Sequence, residues 1–170
     1  MSINWSEVYT QTYGDLVRFL VGKVWDRERA QDLAQETFVR ALRHEPDNPR
    51  AWLFAVAANL ARDEARTAVR RRAHLTLLKN EAEMEGSAEA GAPAQIENDE
   101  TRRQVEAAME RLSERDREVL LLWSAGNSYG DIAEITQLAP GAIGTTLARA
   151  RKRLLDAYEG LENDVARHRG

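Results

Sequence analysis

The chain has 170 residues, 31% of them charged and 6% aromatic, and no cysteine. That length suits one ordinary domain or two small ones, and the missing thiols exclude disulfides, thiol catalysis and cysteine-ligated zinc. A formal net charge of −4 speaks against nucleic acid as a partner, but residues 73–100 hold seven acidic side chains against Lys79 alone, so the total describes neither end.

The start, MSINWSEVYTQTYGD, lacks the basic and then apolar order of a signal peptide. The longest apolar run, AWLFAVAANLA at 51–61, is too short to cross a bilayer and contains Asn59. No membrane insertion is expected, and the protein is read as cytoplasmic. Tyr13, Leu16, Val17, Leu20 and Val24 recur at helical spacing and predict a first helix with one apolar face. RERAQDLAQETFVRALRH predicts a second, with Ala30, Leu33, Ala34, Phe38 and Ala41 on one side. The loop EPDN, 45–48, breaks it. Asn48 as cap and Pro49 at the first helical position then open a third helix. Its body, AWLFAVAANLARDEAR, is apolar nearly all round, the pattern of a central helix.

Residues 73–100 include KNEAEMEGSAEAGAPAQIENDE, which has too few large apolar groups to offset its ordering entropy. A flexible acidic linker is expected there, with a helical start through AHLTLLKNEAEME as the alternative. Beyond it, Val105, Ala108, Met109 and Leu112 form a stripe. Ser113 with Asp116 looks like a capping pair for ERDREVLLLWSA, and Gly126 is placed to end that helix. Ser128 with Asp131 caps YGDIAEIT, and Pro140 opens a last helix expected to reach about Tyr158. Long β-branched runs are absent, so no sheet is expected. The fold class is all-α: two small helical domains, 1–72 and 101–170, joined by the flexible linker 73–100.

The last two helices follow helix-turn-helix logic. Ile143, Leu147, Ala150 and Leu154 share a core face, while Thr145, Arg149 and Lys152 share another, with Ala142, Thr146 and Arg153 beside them. The first helix of such a unit braces the second, whose N-terminal part enters the major groove. Gly141, Ala142 and Gly144 are small enough for close approach. Arg149, Arg151, Lys152 and Arg153 suit phosphates, which supply salt-dependent affinity rather than sequence choice. The plain alternative is an amphipathic helix with a solvated basic face.

Two further stretches carry a resemblance. DLAQETFVRAL, 32–42, resembles the helix by which bacterial sigma factors grip RNA polymerase, and NPRAWLFAVAANLARDEAR, 48–66, resembles the next helix, which helps read and open the −10 promoter element. LSERDREVLLLWSAGNSYGDIAEI, 112–135, resembles the start of the C-terminal sigma domain, which reads the −35 element. In this order, over about 5–72 and 101–158, the chain resembles the extracytoplasmic-function type of sigma-70-family factor. The resemblance implies a polymerase-binding patch of Asp32, Gln35, Glu36, Thr37 and Arg40, exposed opposite Leu33, Ala34 and Phe38. It implies −10 contacts from Asn48, in a loop that holds an extruded base, and from Asn59, Arg62, Asp63 and Arg66. It implies −35 contacts from Gly141, Ala142, Thr145, Thr146, Arg149, Lys152 and Arg153. Trp52 and Phe54 are read as core, not as melting wedges.

The chain departs from the family run Thr-Val-Lys-Ser-Arg after the glycine of the recognition helix: Gly144 and Thr146 stand at the Lys and Arg positions. The turn has Gln137 where such units often have glycine. The −35 reading is thus expected to keep its geometry and change its chemistry. The implied partners are core RNA polymerase, promoter DNA and an anti-sigma protein, which in many relatives packs over or between the domains. No cofactor or metal is implied.

Two other classes compete. Residues 112–155 also resemble the output domain of response regulators, but a free-standing regulator has no use for DLAQETF. An enzyme finds no support: His44, His74 and His168 lie far apart, and no phosphate loop or nucleophile motif is present.

Overall fold

Polar side chains mark where the helices begin. In the computed structural model, which describes residues 2–81 and 93–169, α1 (Trp5–Val24) follows Asn4, whose side chain accepts the Glu7 N–H at 3.3 Å. Asp26 does the same for α2 (Arg27–Ala41), accepting from Arg29 at 3.1 Å. Asn48 Oδ1 accepts the Ala51 N–H at 3.2 Å where α3 (Pro49–Glu81) opens. Each cap satisfies a first-turn donor that the helix leaves without a partner.

The chain divides into two compact units between residues 88 and 89. In the first, α1, α2 and α3 each pack against the other two. Leu16, Phe19, Leu20, Leu53 and Phe54 are buried at its centre, with the Phe19 and Phe54 rings edge to face at 5.4 Å. Ala30, Ala34, Ala41, Ala51, Ala57, Ala58 and Ala61 are buried as well, which lets the α2 and α3 backbones approach closely. Arg29 joins the two helices through Glu64 at 2.7 Å. That hydrogen bond and the carboxylate charge raise the guanidinium further above its already high pKa.

The second unit holds α4 (Pro93–Glu110), α5 (Glu114–Ser124), α6 (Tyr129–Thr136), a 3-10 turn at Pro140–Ala142 and α7 (Ile143–His168). α7 packs against α4, α5 and α6. Ala108, Met109, Leu112, Val119, Leu122, Ile132, Ile143, Leu147 and Ala150 form its core. No strand occurs among the described residues, and none of their helices is long and apolar enough to cross a membrane.

Three helix ends differ from expectation. α3 continues past Arg66 to Glu81, α4 begins at Pro93 and α7 passes Tyr158 to reach His168. Residues 67–81 contain neither glycine nor proline, so nothing local stops α3, and Pro93 suits a first helical turn. Val69, Leu75 and Leu77 on the extension are exposed. The alternative of a helical start to the linker is therefore what 73–81 adopts; the expectation of a flexible segment over 82–92 lies outside the described residues.

Candidate nucleic-acid and partner interfaces

On α2 the core takes Ala30, Leu33, Ala34, Phe38 and Ala41, as their spacing requires. Asp32, Gln35, Glu36 and Arg40 are left exposed. Arg40 donates to Glu36 at 2.9 Å, Gln35 Nε2 donates to the Tyr9 hydroxyl at 3.2 Å and Arg29 pairs with Asp32 at 3.4 Å. Thr37 does not belong to this patch. It is 0% exposed, and its hydroxyl donates to the Leu33 carbonyl at 2.8 Å. Position 37 lies one turn beyond Leu33, so helical phase points it at the core. Val39 and Leu42, two large apolar residues not expected there, are 63% and 67% exposed on the same stretch. Asp32, Gln35, Val39 and Leu42 fall at 3-4-3 spacing, the period of a helix that packs along another helix. That spacing was a signal available in the sequence.

On α3, Asn59, Arg62, Asp63 and Arg66 fall at i, i+3, i+4 and i+7 and so share one face. Asn59, Asp63 and Arg66 are exposed and Arg62 half-buried. Arg62 donates to Asn59 Oδ1 at 2.8 Å. Asn48 is half-buried at the helix start, where its side-chain oxygen is engaged as the cap. Phe54 is fully buried, as expected of core. Trp52 is half-buried beside the loop, its ring 5.0 Å from His44 and 6.4 Å from Trp5.

In the second unit, Ser128 and Asp131 form a reciprocal capping box, Ser128 Oγ accepting the Asp131 N–H at 3.1 Å and Asp131 accepting the Ser128 N–H at 3.4 Å. Gly126 ends α5 with φ 92°, a conformation that suits a residue without Cβ. The turn into the last helix reverses at Gln137, φ 62° and ψ 20°. Gln137 takes the left-handed conformation that glycine takes at lower cost, and its amide donates to the Glu134 carbonyl at 2.8 Å.

At the start of α7, Gly141 and Thr145 are exposed, and Ala142 and Gly144 half-buried. A Cβ on Gly144 would stand 3.6 Å from the exposed Tyr129 ring. Thr146 contradicts its expected place on the DNA face. It is buried, because position 146 borders the core positions Ile143, Leu147 and Ala150 on the helix surface. The basic cluster is also less open than its sequence implies. Arg149 and Arg153 both donate to Asp116, at 3.2 and 2.7 Å, and the Arg151 guanidinium stacks 3.9 Å from the centroid of Trp123. The capping pair expected of Ser113 and Asp116 is half present: Ser113 Oγ accepts the Asp116 N–H at 3.1 Å, while the Asp116 carboxylate turns inward to the arginines.

The matches to known proteins follow this division. Residues 8–71 match the model of sigma-70 region 2, and residues 102–154 that of sigma-70 region 4. The ECF RNA polymerase sigma factor EcfG of Rhodopseudomonas palustris is 34% identical over 142 residues, 80% of this chain and 75% of the relative. The ECF sigma factor SigM of Bacillus subtilis is 30% identical over 167 residues, 93% of this chain and 97% of the relative. Among solved structures, CnrH in complex with the cytosolic domain of CnrY shares the fold with a TM-score of 0.65 at 22% identity, over 92% of this chain and 88% of that one. Two sigma regions in the family's order, with relatives matched over most of their length, make this chain a member of the ECF sigma factors of the sigma-70 family, the subunits that direct RNA polymerase to promoters.

Proposed function

We propose that the two units divide promoter recognition among three helix faces. The exposed stripe of α2, Asp32, Gln35, Glu36 and Arg40 flanked by Val39 and Leu42, docks along a coiled coil of core polymerase. The late face of α3, Asn59, Arg62, Asp63 and Arg66, meets the −10 region. The 3-10 turn at Gly141 and Ala142 and the exposed side of α7, Thr145 and Lys152, meet the −35 element, with Arg149 and Arg153 at the edge. The α2 stripe carries this reading. Charges at its centre and two large apolar side chains in solvent on one helix leave an apolar surface without a partner inside the unit. A helical partner would cover it.

The protein then works in the cytoplasm, where core polymerase and DNA are. It positions and opens DNA while the polymerase carries out the chemistry. An anti-sigma protein is its proposed regulator, covering these same faces when the factor is inactive.

Co-migration with core polymerase on a sizing column tests the reading. The wild-type chain should co-migrate, and a Gln35→Ala, Glu36→Arg variant with an unchanged melting temperature should not. A chain that ignores core polymerase yet binds duplex DNA in low salt would instead be a free-standing regulator.

A further inference from the structure

Asp116 is a buried charge that the promoter reading leaves without a task. It stands in the first turn of α5, its backbone pinned by the bond from its N–H to Ser113 Oγ. The side chain is 1% exposed. A carboxylate stripped of water needs cationic partners. Here each oxygen has its own: Oδ1 accepts from Arg149 Nη2 at 3.2 Å, and Oδ2 from Arg153 Nη1 at 2.7 Å. The two arginines lie one turn apart on α7, yet their side chains stay 47% and 55% exposed. A guanidinium carries five N–H donors in a planar fork. One contact apiece therefore fixes each plane and leaves other donors for a second acceptor.

From this arrangement we infer that Asp116 is a specificity-determining positioning residue. Its carboxylate holds Arg149 and Arg153 in one orientation on the recognition helix, so that they meet backbone phosphates in a single register of the duplex. The carboxylate also cancels one of the two positive charges. Unselective attraction to any duplex is weakened, and the geometry of the remaining contact is fixed before DNA arrives. Arg151, stacked on Trp123, is restrained in the same sense. Among the four basic residues at 149 and 151–153, only Lys152 has no ion pair or ring contact among the described residues.

This inference rests on α7 being the DNA-facing helix, and the test separates the two. Holoenzyme would be assembled from core polymerase and the full chain. The probe is a duplex pool randomised across the −35 window. Salt-dependent binding to the pool is measured, and the bound fraction is sequenced. Asp116→Asn should bind the unselected pool more tightly, with a salt slope steeper by about one unit for the one positive charge no longer cancelled, and should enrich a flatter sequence preference. Arg149→Lys with Arg153→Lys keeps both charges but not the fork. It should also flatten the preference, and it serves as the readout if Asp116→Asn does not fold. In an Arg149→Gln, Arg153→Gln background, Asp116→Asn should change neither slope nor preference. A further change there would show Asp116 acting on the fold instead of through the arginines, and would overturn the inference. So would an undiminished preference in the folded Asp116→Asn or double-lysine variant. If the double-glutamine variant alone binds and selects like wild type, the DNA-facing assignment of α7 falls as well.

Discussion

Thr37 and Asp116 show what a single residue's place in a helix decides. Both are polar in type, and their sequence context alone suggests a surface group and a cap group. Thr37 lies a turn beyond Leu33, and its own hydroxyl satisfies itself on the Leu33 carbonyl at 2.8 Å, so burial leaves no donor unpaired. Thr37→Val should therefore stay within about 1 kcal/mol of wild type in urea unfolding, because the lost bond goes to a carbonyl that keeps its helical partner. Affinity for core polymerase, measured by fluorescence titration, should not change. A folded Thr37→Val that binds polymerase many-fold more weakly would put Thr37 back in the interface. Asp116 was legible as a residue near a helix start, and its main chain does sit at one. Its carboxylate was not legible, because its partners lie 33 and 37 residues away.

The helices themselves were largely legible, since caps and periodicity act within one turn. Ser128 with Asp131, Gly126 and Asn48 behave as their types predict. Helix ends were less so. The apolar character of α3 fades by Arg66, but the helix continues through 67–81, where neither glycine nor proline interrupts it. The turn before α7 is the element in which a local departure has a cost. Gln137 is held at φ 62°, where an L side chain is disfavoured by roughly 1–2 kcal/mol, more for a β-branched one. Gln137→Val should lower the stability of the second unit in thermal unfolding by the added strain of a β-branched side chain there, about 1 kcal/mol beyond what glutamine already bears, whereas Gln137→Gly should be tolerated. Equal stability of the valine variant would mean that the turn relaxes out of the left-handed region. The same variant should weaken −35 binding, because this turn sets how α6 presents α7.

For the whole molecule, charge distribution matters more than net charge. The acidity of residues 73–100 masks the basic surfaces of α3 and α7 in any total. A sigma factor that bound duplex DNA strongly by itself would compete with its own holoenzyme. Acidic side chains at the end of α3, at the start of α4 and in the sequence between them would lower the local concentration of another polyanion near either unit. Replacing the seven acidic side chains of 73–100 by glutamine would move the formal net charge from −4 to +3. That variant should bind non-promoter duplex more tightly in the absence of polymerase, most of all in low salt, as fluorescence anisotropy would show. Unchanged affinity at low salt would mean that the segment does not act through its charge.

By itself, the sequence determined the helical class, the two-region organisation, the main core faces and the order of the family motifs. These depend on contacts within a few residues, on apolar period and on local composition. Only the tertiary structure decided which polar side chains remain available. It buried Thr37 and Thr146, joined Arg149 and Arg153 to Asp116, and set Arg151 on Trp123. A charged or hydroxyl side chain has the same local signature whether it faces water, a partner or a buried acceptor. For the arginines, which of these is met depends on residues brought from elsewhere in the chain by packing; for Thr37 the acceptor is the Leu33 carbonyl of its own helix, and packing decides that this face is covered.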